Sequence, residues 1–165
     1  MTAPGTPRPK PQRTLGLDYG LARIGMALSD ERKIIAMPHE TLKTEKKLES
    51  TAAKLLVEIN RIQSLHNCIV NELVIGLPLH MNGKMGMLAD EVQHFSAVLR
   101  PLFAFPIVLW DERLTTVLAE KALREGNMSR KKRAKVVDKL TAAIILQNYL
   151  DHQHNAALRI PPVSK

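Results

Sequence analysis

Two short apolar runs, ELVIG at Glu72–Gly76 and PIVLW at Pro106–Trp110, stand on either side of a segment with helical spacing at Met87–Leu99. A run of this kind, apolar without polar alternation, reads as a strand covered on both faces. The Met87–Leu99 segment places Leu88, Val92, Phe95 and Leu99 on one helical face. Strand, helix and strand in succession require a sheet with helices packed against it. Upstream, Leu15–Tyr19 and Ile24–Leu28 read as strands joined by a tight turn around Gly20, and a third strand at Ile34–Met37 ends at Pro38. A helix over Glu45–His66 follows, with Leu48, Ala52, Leu55, Leu56, Ile59 and Ile62 at helical spacing. ELVIG is stopped by Pro78, and Leu79–Gly86 with its Asn82-Gly83 pair is a loop. Helices at Thr115–Glu125 and Lys135–Asp151, separated by a basic loop at Asn127–Arg133, complete the pattern. The expected class is α/β, a five-stranded mixed sheet flanked by helices.

The chain of 165 residues has room for one domain. Residues 1–13 hold four prolines and no apolar periodicity, so they are expected to be a disordered basic tail; the domain spans 14–152, and 153–165 form a C-terminal tail. The single Cys68 excludes an intrachain disulfide and a cysteine zinc cage, which suits a reducing compartment. No apolar run approaches the ~20 residues of a membrane span, and the N-terminus lacks the apolar stretch of a secretory signal, so a soluble cytoplasmic protein is expected.

The net charge of +8 is concentrated in two places. Residues 1–13 carry +3 and residues 121–139 carry +6, while the rest holds thirteen basic and fourteen acidic side chains. Clustering of this kind is the footprint of a protein that binds a phosphate backbone, although a solvated surface also produces it. Aromatic residues make up only 4%. Backbone shape and charge should therefore outweigh stacking along a single strand.

Three acidic positions stand in apolar surroundings. Asp18 interrupts the strand LGLDYG, Asp111-Glu112 closes the strand PIVLW, and Asp138 lies near the start of the apolar helix in KVVDKLTAAIIL. Each admits a structural role: Asp18 as a turn residue, Glu112 pairing with Arg113 or capping a helix at Thr115, Asp138 favouring a helix dipole. Carboxylates offered by two strands and a helix can also converge, and hard divalent cations prefer such oxygen donors. The stretch from Gly76 to Lys84 fails as a phosphate loop, because six residues separate Gly76 from Gly83 and Met85 stands where Ser or Thr is needed. Met81, Met85 and Met87 around the glycine loop could grip a base or a partner, or simply fill gaps.

LGLDYGLARIGMALSD resembles the opening motif of the YqgF (RuvX) family of the RNase H-like superfamily. ELVIGLPLHMNGKMG, DERLTT and KVVDKLTAAIILQNYLD resemble its second, third and fourth motifs, in order, over Thr14–His152. The resemblance implies an RNase H-like fold and a metal-dependent nuclease that resolves Holliday junctions or trims the 5′ end of pre-16S ribosomal RNA. It places the family's acidic residues, as catalytic groups and ligands of Mg²⁺ or Mn²⁺, on Asp18, Glu112 and Asp138. Better-known resolvase relatives carry a glutamate after the fourth strand where this chain reads GLPL, so Glu112 would supply that ligand. His80 stands where the family motif more often has Asn.

The main expectation is a two-metal endonuclease or trimming nuclease of pre-rRNA or branched DNA. Arg23 and Arg113 would touch the scissile phosphate or orient the acids, and Arg130, Lys131, Lys132, Arg133 and Lys135 would clamp neighbouring phosphates. The chain would act as a monomer or a homodimer, a symmetric dimer being suited to a four-way junction. A non-catalytic RNA-binding factor of ribosome assembly is the alternative from another class. An actin-like or sugar-kinase-like ATPase would need a second such domain, for which there is no room.

Overall fold

The computed structural model describes residues 5–114 and 130–158, with the backbone alone for Leu114, 130–139 and 157–158. Its strands are β1 (Gln12–Tyr19), β2 (Arg23–Ser29), β3 (Ala36–Pro38), β4 (Leu42–Lys43), β5 (Ile69–Leu77) and β6 (Ile107–Asp111). Its helices are α1 (Leu48–Leu65), α2 (Met87–Leu99) and α3 (Arg130–Leu158). The strands form one mixed sheet in the order β3-β2-β1-β5-β6. β1 runs antiparallel to β2 and parallel to β5, and β5 runs parallel to β6. The sixth strand, β4, is a two-residue addition that pairs with β2 through Arg23↔Lys43 and Ile24↔Leu42. So short a strand has no room for the apolar run by which the other five are legible.

Two helices cover one face of this sheet and the third covers the other. Leu15, Leu17 and Tyr19 of β1, Leu73 and Ile75 of β5, and Ile107 of β6 pack with Ala52, Leu55, Ile59 and Ile62 of α1 and Val92, Phe95 and Leu99 of α2. The intervening residues point to α3, where Ala27, Val74, Ala142, Ile145, Leu146 and Tyr149 form a second core. Gly16 lets α3 come close: a Cβ there would stand 2.7 Å from that of Leu146. Glu72, the charged residue of the ELVIG run, accepts hydrogen bonds from Thr14 Oγ1 (3.0 Å) and the Tyr149 hydroxyl, tying β1, β5 and α3 together.

Some boundaries differ from expectation, for physical reasons. The expected strand at Ile34–Met37 begins only at Ala36, because Asp30 Oδ1 accepts the backbone N–H groups of Ile34 (2.7 Å) and Ile35 (2.9 Å) and holds them in a turn. Gln12 and Arg13, assigned to the tail, extend β1 by pairing with Ile69 and Val70. The basic loop is corrected most: residues from Arg130 onward are helical, so Arg130–Arg133 form the first turn of α3 rather than a connection. Unpunctuated Lys and Arg carry good helix propensity, and no Gly or Pro interrupts them before Asp138. Asn127–Ser129 and the expected helix at Thr115–Glu125 lie outside the described residues. At its other end α3 continues past His152 to Leu158. Among the described residues no helix is long and apolar enough to cross a membrane.

Candidate active site

β1 carries Asp18 one residue before its end, and strand alternation places it on the α3 face with Gly16. Its antiparallel partner is Gly25 of β2. Arg23, the first residue of β2, belongs by the same alternation to the face of Ala27 and Asp18. β6 ends at Asp111, and Glu112 follows at once in a short 3-10 turn, Glu112–Leu114. That turn swings the Glu112 carboxyl back over the neighbouring strand, onto Gly76.

Glycine at 76 is what makes room. A Cβ there would overlap Glu112 Oε1 and lie 2.8 Å from Glu112 Cγ and 2.7 Å from Ile145 Cδ1. The Glu112 carboxyl is largely buried and shares a hydrogen bond with Asp18. Its pKa is pushed up from 4.5 to about 7, first by burial, then by the charge of Asp18 and their hydrogen bond, with a smaller contribution from Asp111. Two carboxylates from different strand ends thus meet over a glycine, and a proton between them relieves their repulsion. A divalent cation relieves it better, since it brings two charges and prefers oxygen donors. The donor set fits Mg²⁺ or Mn²⁺ in that sense. Among the described residues no group of three or more His, Cys, Asp or Glu is placed to hold a metal. Asp138 belongs to the α3 backbone, four residues before the buried Ala142, and its side chain lies outside the described residues, as do those of Arg130, Lys131, Lys132, Arg133 and Lys135.

Asp111 and Glu112 divide the work. Arg113 pairs with Asp111 rather than with Glu112: its Nε donates to both Asp111 oxygens at 3.0 and 2.9 Å, its Nη2 to Oδ2 at 2.6 Å, and its backbone N–H to Oδ1 at 3.0 Å. These bonds hold the Asp111 carboxyl below its usual range. The guanidinium is thereby fixed in place, and its Nη1 reaches the Asn82-Gly83 turn, 3.5 Å from where a Gly83 Cβ would be. Sequence reasoning missed both Gly76 and the Asp111–Arg113 pair. The i, i+2 spacing of an acid and an arginine at a strand end was the available signal for the second. His80 packs its ring against Gly86 at the head of α2, with Nε2 2.7 Å from the position of a Gly86 Cβ.

A family model described as RuvX, Holliday junction resolvase, matches residues 12–152. A protein of Protochlamydia amoebophila named "Putative pre-16S rRNA nuclease" is 59% identical over 144 residues, which is 87% of this chain and 96% of that protein. One of the same name from Bacillus subtilis is 42% identical over 139 residues, covering 84% and 97%. Among solved structures, T. thermophilus RuvC in complex with a Holliday junction substrate matches 87% of this chain and 96% of its own with a TM-score of 0.52. At 11% identity that likeness bears on the fold alone, which is RNase H-like.

Proposed function

This chain belongs to the RuvX (YqgF) family, and from that premise we propose that it is a metal-dependent nuclease of the bacterial cytoplasm that hydrolyses phosphodiester bonds in structured nucleic acid. The observation that carries the reading is the Asp18–Glu112 carboxyl pair, seated over Gly76 and joined by a hydrogen bond. Asp18, Glu112 and Asp138 would hold Mg²⁺ or Mn²⁺. When bound, such ions polarise a phosphoryl oxygen and ease deprotonation of the attacking water. Asp18 and Glu112 set the position of that charge, and α3 and the buried Gly76 backbone limit water on the sheet side. Arg113, oriented by Asp111, offers its outer N–H groups to a non-bridging phosphate oxygen. Arg23, on the same sheet face as Asp18, and the basic first turns of α3 (Arg130, Lys131, Lys132, Arg133, Lys135) take flanking phosphates.

The substrate we favour is pre-16S ribosomal RNA, cut at its 5′ end, because a relative 59% identical over 87% of the chain carries the name of a pre-16S rRNA nuclease. Branched DNA is the second reading, favoured by the description of the family model. Incubation of the protein with Mn²⁺ and, separately, labelled precursor rRNA and a four-way DNA junction decides between them. Mapped cuts in the RNA near the mature 5′ end support the first, paired symmetric cuts in the junction support the second, and binding without cuts in either supports a non-catalytic assembly factor.

A further inference from the structure

The methionines around the Asn82-Gly83 turn take no part in the chemistry above, yet they stand beside it. Met81 is 88% exposed and Met87 85%, and Leu21, in the β1–β2 turn three residues after Asp18, is 70% exposed. Single exposed apolar side chains are ordinary on a protein surface. Three at the same end of the sheet, around a polar site, are a candidate contact surface.

Their supports are firmly built. The 79–85 loop is closed by a Leu79↔Met85 bridge, the His80 N–H donates to Lys84 O at 2.9 Å, and the Gly83 N–H donates to His80 O at 2.8 Å. The Lys84 N–H donates to Asn82 Oδ1 at 2.9 Å, and Gly83 has a φ of +80°, a left-handed conformation that favours glycine. Met85 is engaged, its Sδ accepting from Gln93 Nε2 at 3.3 Å. Met87 opens α2 directly after Gly86, against which the His80 ring packs, so one residue couples the loop to the helix start. The loop leaves β5 at Leu77, whose partner is Asp111, and Gly83 lies against Arg113. Met81 is therefore carried on the loop that adjoins the guanidinium facing the scissile phosphate in the reading above, and Met87 follows that loop at the start of α2.

The rest of the chain indicates what they touch. A nucleic acid that lays a phosphate against Arg113 passes beside the Asn82-Gly83 turn, against which that guanidinium lies. Base faces are normally met by aromatic side chains, but all six rings of this chain are occupied with one another. Tyr19 packs on Phe95 (5.0 Å between centroids), Phe103 on Phe105 (4.8 Å) and Trp110 on Tyr149 (5.2 Å). The polarizable thioether of Met also makes favourable contacts with aromatic rings. We propose that Met81 and Met87, with Leu21 on the β2 side, bind the faces of unpaired nucleobases next to the scissile phosphate. A base inside a duplex has both faces stacked, so the substrate this surface selects has unpaired nucleotides at the cut: a bulge, a branch point or a boundary between single strand and duplex. The choice of occupant rests on the nuclease reading.

The test is anisotropy binding by the full-length protein, without divalent metal and at fixed salt, to a perfect duplex and to the same duplex with a short unpaired stretch, each as RNA and as DNA. Wild type binds the interrupted duplex more tightly. Met81→Gln with Met87→Gln loses about tenfold on the interrupted duplex and less than about twofold on the perfect one, while Met81→Leu with Met87→Leu retains most of the preference. Equal losses on both ligands, no loss on either, or a wild type without preference overturns the proposal. Cleavage with Mn²⁺ is scored separately. A wild type that discriminates but cuts nothing removes the nuclease reading and leaves the base contact standing, whereas one that cuts without discriminating removes the base contact alone.

Discussion

On the α1/α2 side of the sheet, β1 and β5 present Leu15, Leu17, Tyr19, Leu73 and Ile75, while on the α3 side the residues between them are Gly16, Asp18, Val74 and Gly76. The same two strands thus build a volume-filling face and a face cleared of volume. Large side chains on the first supply most of the apolar burial, which leaves the second free to admit a helix at close range and to seat two carboxyls. Gly76 links the two ideas, since the space its missing side chain leaves is taken by Glu112 and Ile145. Core packing and the candidate site are separated here by the two-residue period of a strand.

The separation is broken hardest at Asp18. Asp18→Asn keeps the volume of the side chain and removes its charge, and cleavage should fall by roughly 10³-fold or more, with folding retained. Glu112→Gln should do the same, and if the two act as one unit the double variant should be no worse than either alone. Near-wild-type rates in Asp18→Asn, measured on whichever substrate the wild type cuts, would sink the assignment. One residue away the sign of the volume effect reverses between faces. Leu17→Ala, which opens a cavity on the filled face, should cost about 2–5 kcal/mol. Gly16→Ala, which adds a methyl against Leu146 on the cleared face, should cost about 1–3 kcal/mol. Denaturant titrations check both, and a neutral Gly16→Ala would show that α3 yields more readily than its packing implies.

Much of this is legible in the sequence itself. A charge inside LGLDYG is costly in a dry core, which makes Asp18 a candidate site residue, and the five main strands follow from short apolar runs bounded by turn residues. What escaped is what depends on residues distant in the chain. Nothing local at Gly76 reports that Glu112, 36 residues later, needs its space. Asp111 and Glu112 are adjacent acids with equal claims on Arg113, and only the turn after β6 assigns the arginine to the first and the site to the second. Charge alone did not distinguish a basic loop from a helix start at Arg130, because solvated Lys and Arg suit both.

The cleared face should also betray itself by pH. Glu112 titrates near 7 in the fold against 4.5 when free, so the folded state holds its proton over a range where the unfolded chain has released it. That contribution is fully present below about pH 4.5 and is lost as pH rises to about 7, amounting to at most about 3 kcal/mol shared with Asp18. In chelator, the thermal midpoint of the wild type should therefore fall across this window, and that of Glu112→Gln should fall less. Mg²⁺ or Mn²⁺ should restore the wild type at pH 8 and not the variant, because a ligand held only by the native state stabilises it. A flat wild-type profile would mean that the two carboxyls are less coupled than their shared hydrogen bond indicates.

The smallest effect on stability belongs to the first turn of α3, and there the comparison sharpens into one between binding and folding. Arg130–Arg133 open the helix whose later turns close the cleared face at Ala142 and Leu146. If they clamp phosphates, log K falls with log salt at a slope of about −0.9 per neutralised phosphate on duplex DNA and about −0.7 on single strands. Replacing Lys131, Lys132 and Arg133 by Ala removes up to three such contacts, so the slope should flatten by roughly two to three units and binding should weaken on all sequences alike. Helix formation should survive, because Ala is the best helix former and relieves a run of like charges. Stability should then stay within about 0.5 kcal/mol of wild type. An unchanged salt slope with unchanged stability would return these cations to solvent, and a large loss of stability would place them in the fold rather than on the substrate.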